Sequence, residues 1–153
     1  MILLDTNVVS EMMRPRPDPG VLAWLDAQDR AELHLAAMTA AELLQGVFAL
    51  AKGRRARELI DAVGGLLDVE FRDRILPFDA DSALEYAHLM VRRSRRGRPM
   101  PPVDGVIAAT ALSRYATVAT RNIRDFEGVG LDLIDPWSDR GPSDPDLDDL
   151  LVL

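Results

Sequence analysis

The chain has 153 residues, 48% hydrophobic and 28% charged, with no cysteine and a formal net charge of −7. That length fits one domain around one core, the composition is that of a globular protein rather than a disordered one, and the lack of cysteine excludes disulfides and thiolate metal sites. No apolar run approaches the ~20 residues that span a bilayer and no basic segment precedes the short apolar start, so no membrane anchor or signal peptide is expected, and the cytoplasm is the expected location.

The elements alternate between short apolar runs and longer amphipathic ones. "ILLD" (2 to 5) reads as a fully buried strand, and "TNVVSEMM" (6 to 13) as a short helix capped by Thr6 or Asn7. A proline-rich break, "RPRPDPG", leads into an amphipathic helix at 21 to 28. A second strand is expected at 33 to 38, with Thr39 capping a long helix over 40 to 52. A further helix follows over 55 to 68, with a break at Gly64 and Gly65. "RILPF" (74 to 78) suits an edge strand, because Pro77 lacks a donor. A helix over 81 to 96 ends at Gly97 and Pro99, another opens at the prolines of "PPVDGVIAATALSRY" (101 to 115), and strands are expected at 116 to 120 and 129 to 135. From residue 138 the composition turns polar and acidic, so the domain is expected over 1 to 137 and an acidic tail over 138 to 153. Strands separated by helices predict an α/β fold: a mostly parallel central sheet flanked by helices on both faces, with its ligand crevice beyond the carboxyl ends of the strands.

Four acidic positions fall at that rim. Asp5 ends the first strand, Glu42 and Asp104 sit in the first turns of their helices, and Asn122 and Asp125 follow the fourth strand. Each has a plainer role open to it: Asp5 as an N-cap, Glu42 in the capping box "TAAE", Asp104 as complement to a helix dipole, Asp125 as a turn residue. Taken together, converging carboxylates repel one another unless a cation sits among them, and hard oxygen donors without cysteine or a well-placed histidine select Mg²⁺ or Mn²⁺ over zinc. His34 and His88, within apolar patterns, read as structural. The arginines cluster in "GRRAR" (53 to 57) and "RRSRRGR" (92 to 98). The second cluster, with Arg98, lies just before Asp104 and reads either as a phosphate guide or as a solvated helix end; Arg121 and Arg124 flank Asn122.

"MILLDTNVVSE", "TAAELLQGV", "PPVDGVIAATAL" and "VATRNIRDFEGVGLDLIDPW" resemble the successive motifs of the PIN-domain family, in particular the VapC or FitB ribonuclease toxins of bacterial type II toxin–antitoxin pairs. The resemblance runs from residue 1 to about 137 with the motifs in family order. It implies a Mg²⁺- or Mn²⁺-dependent endoribonuclease acting on RNA, a homodimer, and inhibition by a small DNA-binding antitoxin protein. It assigns Asp5, Glu42 and Asp104 to the first three acidic positions; Asp125 is taken as the fourth, with Asn122 positioning a water or a phosphate. Thr6 and Thr120 match small hydroxyl residues lining the same rim. Two other readings stay open: a catalytically silent binding module, and a metal-dependent DNA nuclease or phosphatase on the same rim, although "DTN" is not the "DxDxT" of haloacid-dehalogenase phosphatases.

Overall fold

The computed structural model describes residues 1–50 and 52–138. Five strands form one sheet in the order β3-β2-β1-β4-β5, with every pair parallel. They are β1 (Ile2–Leu4), β2 (Leu33–Ala36), β3 (Ile75–Leu76), β4 (Thr117–Ala119) and β5 (Leu133–Ile134). The helices are α1 (Thr6–Met12), α2 (Pro19–Asp26), α3 (Ala37–Phe48), α4 (Arg54–Gly65), α5 (Ala80–Arg95), α6 (Pro102–Leu112) and α7 (Ile123–Phe126).

β1 is central because it can be buried on both faces. Leu3 and Leu4 point to opposite sides and both are fully buried. Leu4 packs with Val8 and Val9 of α1, Trp24 and Leu25 of α2, Leu43 of α3 and Val63 of α4. Leu3 packs with Leu89 of α5, Ile107 and Ala111 of α6, and Phe126 of α7. Removing both leucine side chains from water is worth about 2 kcal/mol each. The β1 register then fixes the site: Leu4 lies beside Leu35 of β2 and Ala119 of β4, so the residues following all three strands emerge at one rim.

The sheet and its flanking helices match the sequence reading, and most boundaries shift by one to three residues. α3 departs from it in a way that matters. β2 stops at Ala36 and the helix begins at once, with no side-chain cap, so Thr39 is not the cap but a fully buried residue one turn in. Packing against the sheet set that start and overrode the capping signal. α4 continues through Gly64 and Gly65, the expected break, and loosens into a π-type turn over Leu66–Glu70. Val21, Trp24 and Leu25 of α2 are core residues, while Phe48 and Leu50 at the end of α3 remain exposed. The acidic stretch expected as a tail lies, from residue 139, outside the described residues.

α6 approaches α5 closely at Gly105, where a methyl group would come within 2.8 Å of the Met90 sulfur and 3.0 Å of the Tyr86 ring. The glycine next to Asp104 therefore sets how deep that helix start is seated.

Candidate active site

Asp5 extends the β1 ladder by one bond, its amide donating to the Ala119 carbonyl at 3.0 Å, and then caps α1 from an extended backbone (φ −73°, ψ 158°). Its two oxygens are crowded with donors. Oδ1 accepts from the Thr6 amide at 2.8 Å, and Oδ2 from the Asn7 side-chain amide at 2.8 Å and the Thr120 hydroxyl at 2.7 Å. The cap expected of Thr6 or Asn7 thus falls to Asp5, and the plain role and the site role coexist in one residue. Burial pushes its carboxyl above the ordinary value of 3.8; the bonds from Thr120, Thr6 and Asn7 pull back, and the charge on Asp125 adds to the rise.

Glu42 is half-buried in the second turn of α3. It does not return to the Thr39 amide as a capping box requires; its Oε2 accepts the Thr6 hydroxyl instead. Thr39, three residues back on the same helix, has a buried hydroxyl without a partner among the described residues.

Asp104 stands in the first turn of α6, after the prolines that open it. A carboxylate that merely complemented the helix dipole would have a lowered pKa. Asp104 is pushed up instead, to about 6, first by partial burial and then by the charges of Asp5, Asp125 and Glu42. Carboxylates carried by α1's cap, α3 and α7 therefore all act on the one at the start of α6. Among the described residues no three of them stand close enough to clasp one ion by themselves. The donor set fits Mg²⁺ or Mn²⁺ held by one or two carboxylates with water completing the shell, and it does not fit a cage closed by protein alone.

The loop after β4 completes the rim. The Thr120 hydroxyl accepts from the Asn122 amide at 3.0 Å, while Asn122 itself is exposed and its side chain does not cap α7. Asp125 lies in α7, and its charge reaches both Asp5 and Asp104. Thr6 and Thr120 donate their hydroxyl protons to Glu42 and Asp5, so they hold the carboxylates rather than offer a free donor to a substrate. Arg121 is exposed, with its guanidinium 5.2 Å from the centre of the Trp137 ring. The arginine cluster divides: exposed Arg92 and buried Arg93 donate to backbone carbonyls of the 125–129 loop, whereas Arg95, Arg96 and Arg98 are exposed and make no such bond among the described residues. Neither histidine joins the rim; His34 contacts the Glu32 carbonyl and His88 is exposed on α5.

Asn7, read from sequence only as a cap, is the residue whose place was missed. Its amide donates to Asp5 and to Thr120 at 3.2 Å, and its Oδ1 accepts from the Arg121 amide at 3.2 Å, so it ties the ends of β1 and β4 together. The available signal was the "DTN" triplet itself, since an Asn two residues past a capping Asp can reach back to it.

A family model described as PIN domain matches residues 2–130. A VapC ribonuclease of Sinorhizobium fredii is 44% identical over 137 residues, which cover 90% of this chain and 98% of that protein. Toxin FitB of Neisseria gonorrhoeae is 40% identical over 139 residues, covering 91% of this chain and 100% of that protein. Among solved structures, FitAB bound to a DNA fragment superposes with a TM-score of 0.85 at 39% identity, over 90% of this chain and 96% of that one.

Proposed function

The chain belongs to the PIN-domain family, and from that premise we propose that its acidic rim is the active site of a Mg²⁺- or Mn²⁺-dependent endoribonuclease, the toxin of a toxin–antitoxin pair. The observation that carries the reading is geometric: the parallel sheet and its helix starts bring Asp5, Glu42, Asp104 and Asp125 to one rim, close enough that the other three charges add to burial in raising the Asp104 carboxyl. The relative named a VapC ribonuclease supports RNA as the substrate, and the FitAB structure supports an antitoxin partner.

In this reading Asp5 and Asp104 would hold the ion, with Glu42 and Asp125 beside it on the same rim. Such an ion, when bound, would supply activation of a water for attack on the phosphodiester and stabilisation of negative charge as the bond breaks. The chain supplies the rest. Thr6, Asn7 and Thr120 fix the carboxylate orientations through their hydrogen bonds. Glu42 or Asp125 accepts the proton of the attacking water, and the exposed Asn122, Arg121 and Arg98 receive the phosphate backbone, which an empty acidic rim would otherwise repel.

The partners follow from the same premise: RNA, a small DNA-binding antitoxin, and a second copy of this chain. Exposed Leu84 and Val91, two turns apart on α5, are apolar surface available for such a contact. No helix among the described residues is long and apolar enough to cross a membrane, and we place the protein's work in the cytoplasm, where its substrate is.

The test is incubation of the purified chain with a panel of single-stranded RNAs in Mg²⁺, Mn²⁺ or EDTA, beside Asp5→Asn. Metal-dependent cleavage that the variant lacks supports the reading. Metal binding without cleavage of any RNA or DNA would favour the silent binding module.

A further inference from the structure

We propose that Arg93 is a positioning residue for the fourth carboxylate: its buried guanidinium clamps the backbone of the segment that carries Asp125. The inference rests on the active-site reading above and adds to it a residue that belongs to neither the acidic set nor the phosphate-guiding one.

Five arginines crowd residues 92 to 98, and helical phase sends one of them inward. Arg93 is only 7% exposed. Its two terminal nitrogens donate to the Glu127 carbonyl at 3.0 Å and to the Asp125 carbonyl at 3.4 Å, and its neighbour Arg92 donates to the Val129 carbonyl at 2.9 Å. Alternate carbonyls of one loop, 125, 127 and 129, are thus held by adjacent side chains of α5.

That loop needs holding. α7 has only four residues, and the chain beyond it passes through Gly128 (φ +72°) and Gly130 (φ +92°), whose backbones have wide freedom when unconstrained. Phe126 and Val129 are buried and fix the segment laterally. To that packing Arg93 adds directed bonds on the backbone at 125 and 127, the stretch that carries Asp125.

The cost of the arrangement argues against simple core filling. Among the described residues no carboxylate lies within ion-pair distance of Arg93, and its Nε is buried without a partner. A buried guanidinium paired only with carbonyl dipoles is a poor source of stability, and an unbranched apolar side chain would fill the same volume at lower desolvation cost. What the arginine supplies and methionine cannot is the pair of directed bonds to the loop.

The experiment compares wild type, Arg93→Met, Arg93→Lys, Asp125→Asn and the Arg93→Met/Asp125→Asn double variant, all as full chains and well below their melting temperatures. Mn²⁺ affinity is read by electron paramagnetic resonance, amide exchange over 123 to 129 by mass spectrometry, and kcat and KM on RNA where cleavage is seen. Arg93→Met should speed exchange in that segment, weaken Mn²⁺ binding by about tenfold, as loss of an outer support of a metal site does, and lower kcat with little change in KM. In the Asp125→Asn background the same substitution should cost Mn²⁺ affinity nothing further. Arg93→Lys, which keeps the charge and reaches one carbonyl, should fall between, and it carries the comparison if Arg93→Met does not fold. Wild-type Mn²⁺ affinity in a folded Arg93 variant, or an undiminished loss in the Asp125→Asn background, would overturn the proposal. If wild type binds Mn²⁺ but cuts no RNA, the ribonuclease reading fails while the affinity comparison still decides the role of Arg93; if wild type binds no Mn²⁺, both fall.

Discussion

Asp5 and Asp79 each close the N-terminus of a helix, Asp5 on α1 and Asp79 on α5, and each carboxylate gathers donors from the backbone and from nearby hydroxyls. Asp79 accepts from the Ser82 amide and the Ser82 hydroxyl, both at 3.0 Å, as Asp5 accepts from the Thr6 amide and the Thr120 hydroxyl. Their titration is opposite. The Arg114 guanidinium, bonded to Asp79, and the Ser82 donors hold that carboxyl well below its ordinary value, while Asp5 is pushed above it. The local motif is the same, so the difference lies in what surrounds it. Asp79 is near the surface and has a cation built into the fold; Asp5 is buried, and the charged groups acting on it and on Asp104 are other carboxylates. A fold that gives one capping aspartate a permanent cation and buries the other within reach of the Asp125 charge agrees with the cation site proposed above.

The largest way to break that comparison is to remove charge from the rim. Asp104→Asn should lower metal-dependent cleavage by more than about 100-fold, because losing even an outer support of a metal ligand costs about 10–100-fold. Its melting temperature in EDTA at neutral pH should hold or rise, since the repulsion that raises the Asp104 carboxyl is gone. Asp5→Asn should lose activity equally but gain no stability, because one of its oxygens becomes an amide nitrogen, a donor set either against the Thr6 amide or against the Asn7 and Thr120 donors. Equal stabilisation by the two variants would mean that the hydrogen bonds around Asp5 matter less than its charge.

A smaller effect is expected at Asn7. Asn7→Ala removes one of three donors on Asp5 and the tie between the ends of β1 and β4. Metal affinity measured by titration should weaken about tenfold, within the range for an outer support. The corresponding change beside the other cap, Ser82→Ala, should leave metal affinity untouched, because Asp79 keeps Arg114 and lies outside the rim.

How much of this the sequence carried depends on the range of the interaction. β1 was legible because Leu3 and Leu4 are both buried, so the whole strand is apolar, and Asp5, Glu42, Asp104 and Asp125 could be placed at one rim because parallel strands send their ends the same way. The Glu42 capping box was a true local signal that lost: α3 starts at Ala37, and Glu42 turned to a hydroxyl 36 positions away in sequence. Asn7 paired with Thr120 is more distant still, a contact that no local pattern announces. Arg93 was hidden differently, since a run of arginines looks uniform until helical phase separates the one facing inward from those facing water. The short α7 had too few residues to show a period at all.

The finest test of the comparison is the sign of the pH dependence. For Asp104 the folded carboxyl titrates at about 6 against an ordinary 3.8, so between those values the folded state binds more protons than the unfolded one. Stability of the metal-free protein should therefore fall as pH rises through that window and stay reduced above it. For Asp79 the folded value lies below the ordinary one, so its contribution is present above pH 3.8 and is lost as pH drops through the lowered value. Melting in EDTA from pH 5 to 7 should show a decline in wild type that Asp104→Asn flattens, at about 2–4 °C per kcal/mol for a chain of this size. Arg114→Met should leave that decline unchanged, because Asp79 does not titrate in it, but should remove stability at neutral pH that wild type loses only in acid. Adding Mg²⁺ at pH 7 should raise the wild-type melting temperature and leave Asp104→Asn nearly still. A wild-type curve that rises from pH 5 to 7 in EDTA would show that the rim carboxylates are raised neither by burial nor by one another, and the contrast between the two caps would then fail.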